Sequence, residues 1–223
     1  MLRRWEKAKL CWSLSIRKHF ALEKISLIGW SYFGGVVARY AMEFPEHVAR
    51  FVMVCGPPIR RLPHSDTINR VMTDRINAVA PGFLQELQAS SSSDPEKLWR
   101  LWDLLKRVRS GPYGLQPMRG DPYRYANETP ERVYAVFSRA IETQGNWDWR
   151  EDAKGAISPA LFIHGDADFL PFEAAREWAE CLPNAKVFTM EGVGHFPSLE
   201  NPICSFRLWR TSCADIGPLF EMV

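Results

Sequence analysis

The chain has 223 residues, which is enough for one large domain, or for a core with an inserted subdomain, around a sizeable apolar interior. Lys and Arg total 28 and Asp and Glu total 26, a balance that does not favour a nucleic-acid partner. No apolar run approaches the ~18 residues of a membrane helix. Charged residues interrupt every segment near the N-terminus that could serve as a signal-peptide core. We therefore expect neither nucleic acid nor a membrane among the partners.

The cysteines indicate a reducing compartment. They are odd in number, widely spaced and without a Cys-x-x-Cys pair: Cys11, Cys55, Cys181, Cys204 and Cys213. This pattern favours reduced thiols over a disulfide framework or a zinc site. We therefore predict a cytoplasmic protein.

The N-terminal residues predict a helix, a strand and a tight turn in succession. Residues 3–20 carry apolar side chains at roughly helical spacing among many cations, which predicts an amphipathic helix on one face of a sheet. Residues 22–28 form a short β-favouring segment that ends at Gly29. The chain then passes through Ser31 directly into a helical segment rich in small residues. Such a junction is typical of a nucleophile elbow, which presents a serine hydroxyl above a parallel sheet, although a serine at a helix start is also a common N-cap.

The central part of the chain changes from strand-like to helical patterns. Residues 49–56 form a near-continuous apolar run, which suits a parallel strand covered on both faces. Residues 57–156 show helical periods between Pro, Gly and Ser clusters, and one helix is predicted to begin at Thr129–Pro130. We expect the side chain of His64 to be solvated. We also expect the cationic face of a helix over residues 97–109 to be solvated. The apolar stripe of that helix is Leu98, Leu101, Trp102, Leu105 and Val108.

Two further strand-like segments each lead into a loop with polar side chains. Residues 158–165 precede Asp166 and Asp168, and residues 185–192 precede His195. A serine hydroxyl is a poor nucleophile unless a base takes its proton, and the base needs an acid that fixes its tautomer. Ligand sites in parallel sheets lie beyond the carboxyl ends of the strands, which is where these loops are predicted. The loops therefore supply the residue types of a serine, acid and histidine relay.

These segments resemble the α/β-hydrolase superfamily in both motif and order. Gly-Trp-Ser, His-Gly-Asp-Ala-Asp and Glu-Gly-Val-Gly-His-Phe follow successive predicted strands in the family's order of serine, acid and histidine. The segment Asn146–Trp149 is similar to the proline iminopeptidase-like and carboxylesterase-like branch. The resemblance implies a three-layer α/β/α fold with a parallel sheet and an inserted helical cap. It divides the chain into the N-terminal part of the core (1–56), the cap (57–156) and the C-terminal part of the core (157–223).

The resemblance also implies roles for individual residues. Ser31 would be the nucleophile of an acyl transfer, His195 its base and Asp168 the acid. The backbone N–H of Tyr32 would stabilise the oxyanion, and the side chains of Trp30 and Tyr32 would contact the substrate. The expected reaction is hydrolysis of an ester or amide bond, without a metal or organic cofactor. Because the cap is rich in aromatic residues, we expect a small, partly hydrophobic substrate.

Three neighbouring residues receive other interpretations. Asp166 is expected to brace its turn and remains the alternative acid. Asp168 is preferred because the family's motif places the acid three residues after the glycine, here Gly165. His164, at a strand end, is expected to be a hydrogen-bonded core side chain. Phe33 occupies a position where the family usually has glycine, so the close approach of helix and strand is expected to shift toward Gly34.

The family pattern predicts more of the sheet than this sequence supplies before the elbow. Only 24 residues precede Ile25, and they contain no His-Gly-rich loop of the kind that provides the second oxyanion donor in the family. We therefore expect an incomplete fold whose elbow strand has an exposed edge, available for self-association. The alternative function is a truncated, catalytically impaired α/β-hydrolase remnant or fragment that needs a partner chain.

Overall fold

The computed structural model of the chain describes residues 15–89, 95–111 and 145–204, together with the single positions 132, 135, 139 and 142. Within the predicted N-terminal helix, residues 15–20 are described, and residues 15–19 of these are helical. The predicted helix start at Thr129–Pro130 lies outside the described residues, as do Cys11 and Cys213.

A parallel sheet of four strands lies at the centre of the described structure, in the order β1-β2-β3-β4. β1 covers Ile25–Trp30, β2 covers Val48–Val54, β3 covers Ala160–Gly165 and β4 covers Ala185–Met190. The predicted parallel sheet is confirmed, although its strand bounds differ from the predicted ones by up to three residues. Among the described strands, β1 forms one edge and β4 the other.

Helices and loops cover both faces of the sheet, which confirms the predicted three-layer α/β/α class. Helix α1 covers Tyr32–Glu43, and a short 3-10 helix at Pro45–His47 leads into β2. Successive side chains of a strand point to opposite faces, and β2 shows this in its packing. Phe51 and Met53 belong to one buried cluster, whereas Val52 and Val54 belong to the other. Both faces of β2 are therefore apolar, which explains its uninterrupted hydrophobic sequence.

The segment between β2 and β3 is helical over much of its described length. It contains α2 (His64–Val79), α3 (Phe83–Ala89), α4 (Pro95–Arg109) and the short α5 (Arg150–Ala153). The predicted apolar stripe of α4 faces inward, because Leu101, Trp102 and Val108 are buried. Among the described residues, none of the helices is both long and apolar enough to cross a bilayer.

After β3, helix α6 (Phe172–Cys181) packs on the sheet and on α5, and α7 (Pro197–Glu200) follows β4. Trp178 of α6 is almost fully buried and stacks on Phe162 of β3, with 5.8 Å between the ring centroids. Its indole N–H donates to the carbonyl of Pro57 at 2.8 Å. One side chain thus joins the sheet, α6 and the start of the central helical segment.

The prediction of a solvated His64 is wrong. The His64 side chain is buried, and its Nε2 lies 2.7 Å from a carboxylate oxygen of Glu177 on α6. Arg60 forms an ion pair with the other oxygen of the same carboxylate at 2.7 Å. The beginning of α2 is therefore held against α6 by a polar cluster, which the local sequence around His64 does not reveal.

Candidate active site

Ser31 lies on a strained turn between β1 and α1. Its backbone has φ 52° and ψ −127°, a region that L-residues rarely adopt. The Ser31 N–H donates to the carbonyl of Val54 at 2.8 Å, and the Ser31 carbonyl accepts from the N–H of Gly34 at 2.8 Å. The Ser31 hydroxyl makes no capping hydrogen bond to α1. The turn therefore holds the side chain away from the helix and leaves its hydroxyl for another partner.

Glycines permit the close packing of β1, β2 and α1 at this turn. A Cβ on Gly29 would lie 2.6 Å from the backbone carbonyl carbon of Phe33, and a Cβ on Gly34 would lie 2.6 Å from Cγ of Met53. Phe33 itself is 61% exposed. The close approach of helix and strand thus occurs at Gly34, as expected from the sequence.

The structure brings Ser31, His195 and Asp168 together beyond the carboxyl ends of three strands. Nε2 of His195 lies 2.8 Å from the hydroxyl oxygen of Ser31. Nδ1 of the same imidazole lies 3.0 Å and 3.1 Å from the two carboxylate oxygens of Asp168. His195 and Asp168 are both buried. The three side chains therefore form a continuous hydrogen-bonded relay.

The protonation of Asp168 determines the direction of these hydrogen bonds. Burial favours the neutral carboxyl, but the interactions with His195, with His164 and with the N–H of Leu170 together outweigh it and lower the pKa of Asp168. The N–H of Leu170 also donates to the Asp168 carboxylate at 3.2 Å. Because an ionised carboxylate only accepts hydrogen bonds, the proton between the two residues lies on Nδ1 of His195. Nε2 of His195 is then left to accept the O–H of Ser31.

The two polar neighbours of the relay have structural partners. Asp166 accepts a hydrogen bond from the backbone N–H of Gly192 at 2.7 Å and is exposed, so it joins the loops after β3 and β4. His164 is buried, and its Nε2 lies 3.1 Å from the carbonyl oxygen of Leu170. Burial lowers the pKa of His164, which favours the neutral ring. The structure thus places Asp168, not Asp166, against His195.

The predicted substrate-contacting residues border the relay. The indole N–H of Trp30 donates to the carbonyl of His195 at 2.8 Å, and its ring centroid lies 5.5 Å from that of His195. Tyr32 is the first residue of α1 and is partly buried. The helix dipole favours negative charge at this end of α1. The ring of Phe169 lies 4.7 Å from His195 and adds a further apolar surface.

Sequence reasoning did not identify two residues that hold the loops of this site. Arg75 of α2 donates to the carbonyls of Val108, Ala167 and Asp168 at 2.9 Å, 3.0 Å and 3.1 Å. The Glu200 carboxylate accepts backbone N–H groups from the loop that carries His195. Glu200 lies five residues after His195. The only local sequence feature that could have pointed to its role is an acidic residue this close to a glycine-rich loop. Nothing in the sequence near Arg75 points to the site.

Cys55 lies beside the relay and completes a set of three potential metal ligands. The atoms that Cys55, Asp168 and His195 could offer lie within 4.8 Å of one another. Burial, and then the charge of Asp168, raises the pKa of the Cys55 thiol well above its usual value. The neutral thiol lies 3.7 Å from the carbonyl oxygen of Gly194. The Cys55 thiol, the Asp168 carboxylate and the His195 imidazole already have hydrogen-bond partners within the protein, so this arrangement fits a hydrogen-bonded thiol better than a metal site.

The chain belongs to the α/β-hydrolase fold family, whose model matches residues 9–202. The chain is 28% identical over 194 residues to the pimeloyl-[acyl-carrier protein] methyl ester esterase of Nitrosomonas europaea. That match covers 80% of this chain and 67% of the relative. A second relative with the same name, from Aromatoleum aromaticum, is 26% identical over 189 residues, which cover 78% of this chain and 68% of the relative.

The fold is also similar to that of solved structures. The proline iminopeptidase of Mycobacterium smegmatis superimposes with a TM-score of 0.63 at 15% sequence identity, covering 90% of this chain and 68% of the other. The comparisons thus confirm the resemblance to the α/β-hydrolase superfamily, and with it the assignment to a family of hydrolases. The chain spans about two thirds of the length of these relatives.

Proposed function

We propose that this protein is a serine hydrolase that cleaves an ester bond in a small, partly hydrophobic substrate. The relay of Ser31, His195 and Asp168, with a strained serine at its head, is the observation that carries the proposal. Two relatives with esterase names favour an ester over an amide bond. The rings of Trp30 and Phe169 beside His195 favour a substrate with an apolar part.

The geometry supports an acyl-transfer mechanism. Nε2 of His195 takes the proton of the Ser31 hydroxyl as its oxygen attacks the carbonyl carbon of the substrate. The Asp168 carboxylate holds Nδ1–H in place and stabilises the imidazolium that forms. The backbone N–H of Tyr32, at the start of α1, donates to the developing oxyanion. His195 then protonates the departing alcohol, and water activated by the same imidazole hydrolyses the acyl-enzyme.

Labelling with a fluorophosphonate probe tests the nucleophile. We expect the wild-type protein to be labelled and Ser31→Ala not to be labelled, because the probe forms a covalent bond only with an activated serine. Ser26→Ala is a matched control, since Ser26 is an exposed serine of the same strand–turn segment. Labelling that persists in Ser31→Ala would refute the assignment of the nucleophile.

Hydrolysis assays test the bond that is cleaved. We expect p-nitrophenyl esters of short acyl chains to be turned over and aminoacyl amides to be turned over much more slowly. The reverse preference would replace the ester assignment with an aminopeptidase-like one, while the proposed roles of Ser31, His195 and Asp168 would stand. The proposed steps use protein groups and water alone. We also propose that the protein acts in the cytoplasm, which its three described cysteines, all free thiols, support.

The position of β1 favours a second candidate function. β1 is an edge strand among the described strands, and Ile28 on it is 41% exposed. Exposed edges of apolar strands invite pairing with another chain. Under this alternative the protein is a catalytically impaired hydrolase remnant that pairs with a partner chain through β1. Folded protein that neither hydrolyses esters nor reacts with the probe would favour this candidate over the first.

A further inference from the structure

The Glu200 carboxylate collects three backbone N–H groups from two segments of the chain. One oxygen, Oε2, accepts from Gly111 at 2.7 Å and from Gly194 at 2.8 Å. The other oxygen, Oε1, accepts from Phe196 at 2.9 Å. Hydrogen bonds to an ionised acceptor are roughly twice as strong as bonds between neutral groups. A single side chain thus satisfies three donors that would otherwise lack a partner in this part-buried loop.

Two of these donors flank His195 in the sequence. The N–H groups of Gly194 and Phe196 bind Glu200, and the N–H of His195 itself donates to the carbonyl of Arg109 at 2.8 Å. The backbone on both sides of the imidazole is therefore fixed. The direction of the Cα–Cβ bond of His195, and with it the reach of Nε2 toward Ser31, depends on this stretch of backbone.

The loop around His195 also has little free space. A Cβ on Gly194 would lie 2.6 Å from the carbonyl oxygen of Arg109, and a Cβ on Gly165 would lie 2.6 Å from the carbonyl oxygen of Gly194. The loop is thus enclosed between the end of β3 and the residues that end α4. Gly111, which follows α4, is bound to the same carboxylate. Glu200 therefore connects the central helical segment to the histidine loop.

We propose that Glu200 is a positioning residue that sets the place of His195 by binding the backbone on either side of it. Its side chain forms no hydrogen bond with Ser31 or with the side chains of His195 and Asp168. Its effect passes through the hydrogen bonds of Gly194 and Phe196 to the imidazole. The expected effects of Glu200 on labelling and turnover rest on the proposed serine hydrolase, whereas its expected effect on the position of the imidazole does not.

Glu200→Gln is the informative substitution. A glutamine side chain has one oxygen and one NH2 group in place of two oxygens. Whichever way the amide turns, either Phe196 or the pair Gly111 and Gly194 loses its acceptor and faces a donor. The loop must shift to relieve this conflict. Glu191→Gln is the matched control, because Glu191 is an exposed carboxylate just before the same loop.

The readouts are chosen to separate positioning from general stability. The Nδ1 proton of His195, held by Asp168, should give a downfield proton NMR signal, which we expect to move or broaden in Glu200→Gln and to remain unchanged in Glu191→Gln. The rate of fluorophosphonate labelling should fall by about 100-fold in Glu200→Gln, because a displacement of the imidazole by roughly 1 Å is enough to cause a loss of that size. We expect kcat for ester hydrolysis to fall with it and KM to change little, since Glu200 is placed away from the substrate.

The possible results distinguish this inference from the proposed function. A folded Glu200→Gln variant with the wild-type NMR signal and labelling rate would overturn the inference and leave the proposed hydrolase intact. A wild-type protein without hydrolase activity whose His195 signal still depends on Glu200 would support the inference and overturn the proposed function. If Glu200→Gln does not fold, Glu200→Asp provides the same comparison, because it keeps the charge but withdraws the carboxylate by one methylene group.

Discussion

Gly29→Ala should strongly reduce the reactivity of Ser31 without altering any side chain of the relay. The new Cβ would lie 2.6 Å from the carbonyl carbon of Phe33 and 2.8 Å from the backbone nitrogen of Gly34. Ordinary contacts of a Cβ begin at 3.4 Å, so the backbone of α1 must move by roughly 1 Å, a displacement that can slow catalysis by about 100-fold. No rotamer change relieves the conflict, because the atoms concerned belong to the backbone.

Ser31 lies between Gly29 and the displaced turn of α1, so its hydroxyl must move too. A shift of that size along the line to His195 would extend the 2.8 Å contact beyond hydrogen-bond range. We expect fluorophosphonate labelling and ester hydrolysis to slow by about 100-fold. The free energy of unfolding should fall by about 1–3 kcal/mol, as overpacking commonly causes.

Gly155→Ala is a control for this experiment. Its Cβ would lie 3.4 Å from the carbonyl oxygen of Asp152, an ordinary contact in a surface turn. We expect it to be labelled at the wild-type rate. Urea unfolding would be measured for both variants, so that reactivity is compared only between folded samples. A folded Gly29→Ala variant that is labelled as fast as the wild type would refute the link between the packing of the elbow and the reactivity of Ser31.

Four further predictions concern the acid, the core, the pH dependence and the sheet edge. Asp168→Asn should slow probe labelling by about 10,000-fold, because an amide leaves the histidine beside it in the wrong tautomer; wild-type reactivity would contradict this. Trp178→Ala should lower the free energy of unfolding by about 3–5 kcal/mol in urea titrations, because its buried ring leaves a large cavity. The lowered pKa of His164 means that the unfolded chain binds its proton more readily. The free energy of unfolding should therefore fall as the pH decreases below about 6.5. Urea unfolding at several pH values should show a smaller fall for His164→Gln than for the wild type. The control His19→Gln, at an exposed position, should show the same fall as the wild type. Ile28→Lys should shift sedimentation profiles toward monomer, since a charge on an edge strand opposes pairing, and an unchanged profile would contradict self-association through β1.

The strands and the three residues of the relay could be predicted from the sequence because their signals are local. Apolar runs such as residues 49–56 reflect a strand with both faces buried, and the polar residues that follow such runs share one edge of the sheet. The turn at Ser31 was recognisable for the same reason, since strand, glycine, serine and helix follow each other directly. The order of Ser31, Asp168 and His195 along the chain then favoured their assembly.

The supporting contacts could not be predicted, because they join residues far apart in sequence through groups that leave no pattern. His64 is buried and binds Glu177, which is 113 residues away in the sequence. Arg75 and Glu200 bind backbone carbonyl and N–H groups, which every residue carries and no sequence motif displays. Their partners follow from the packing of α2, α4 and the histidine loop, which only the structure reveals.

The bond from the Trp30 indole to the carbonyl of His195 has a consequence for engineering this enzyme class. A residue adjacent to the proposed nucleophile is an attractive position for altering selectivity by random mutagenesis. Here any replacement without a matching N–H donor would leave a carbonyl of the histidine loop unpaired, so most library members at position 30 would lose turnover before selectivity could be compared. Diversification at Phe33, whose side chain is largely exposed, spares the relay and offers a wider choice of viable sequences.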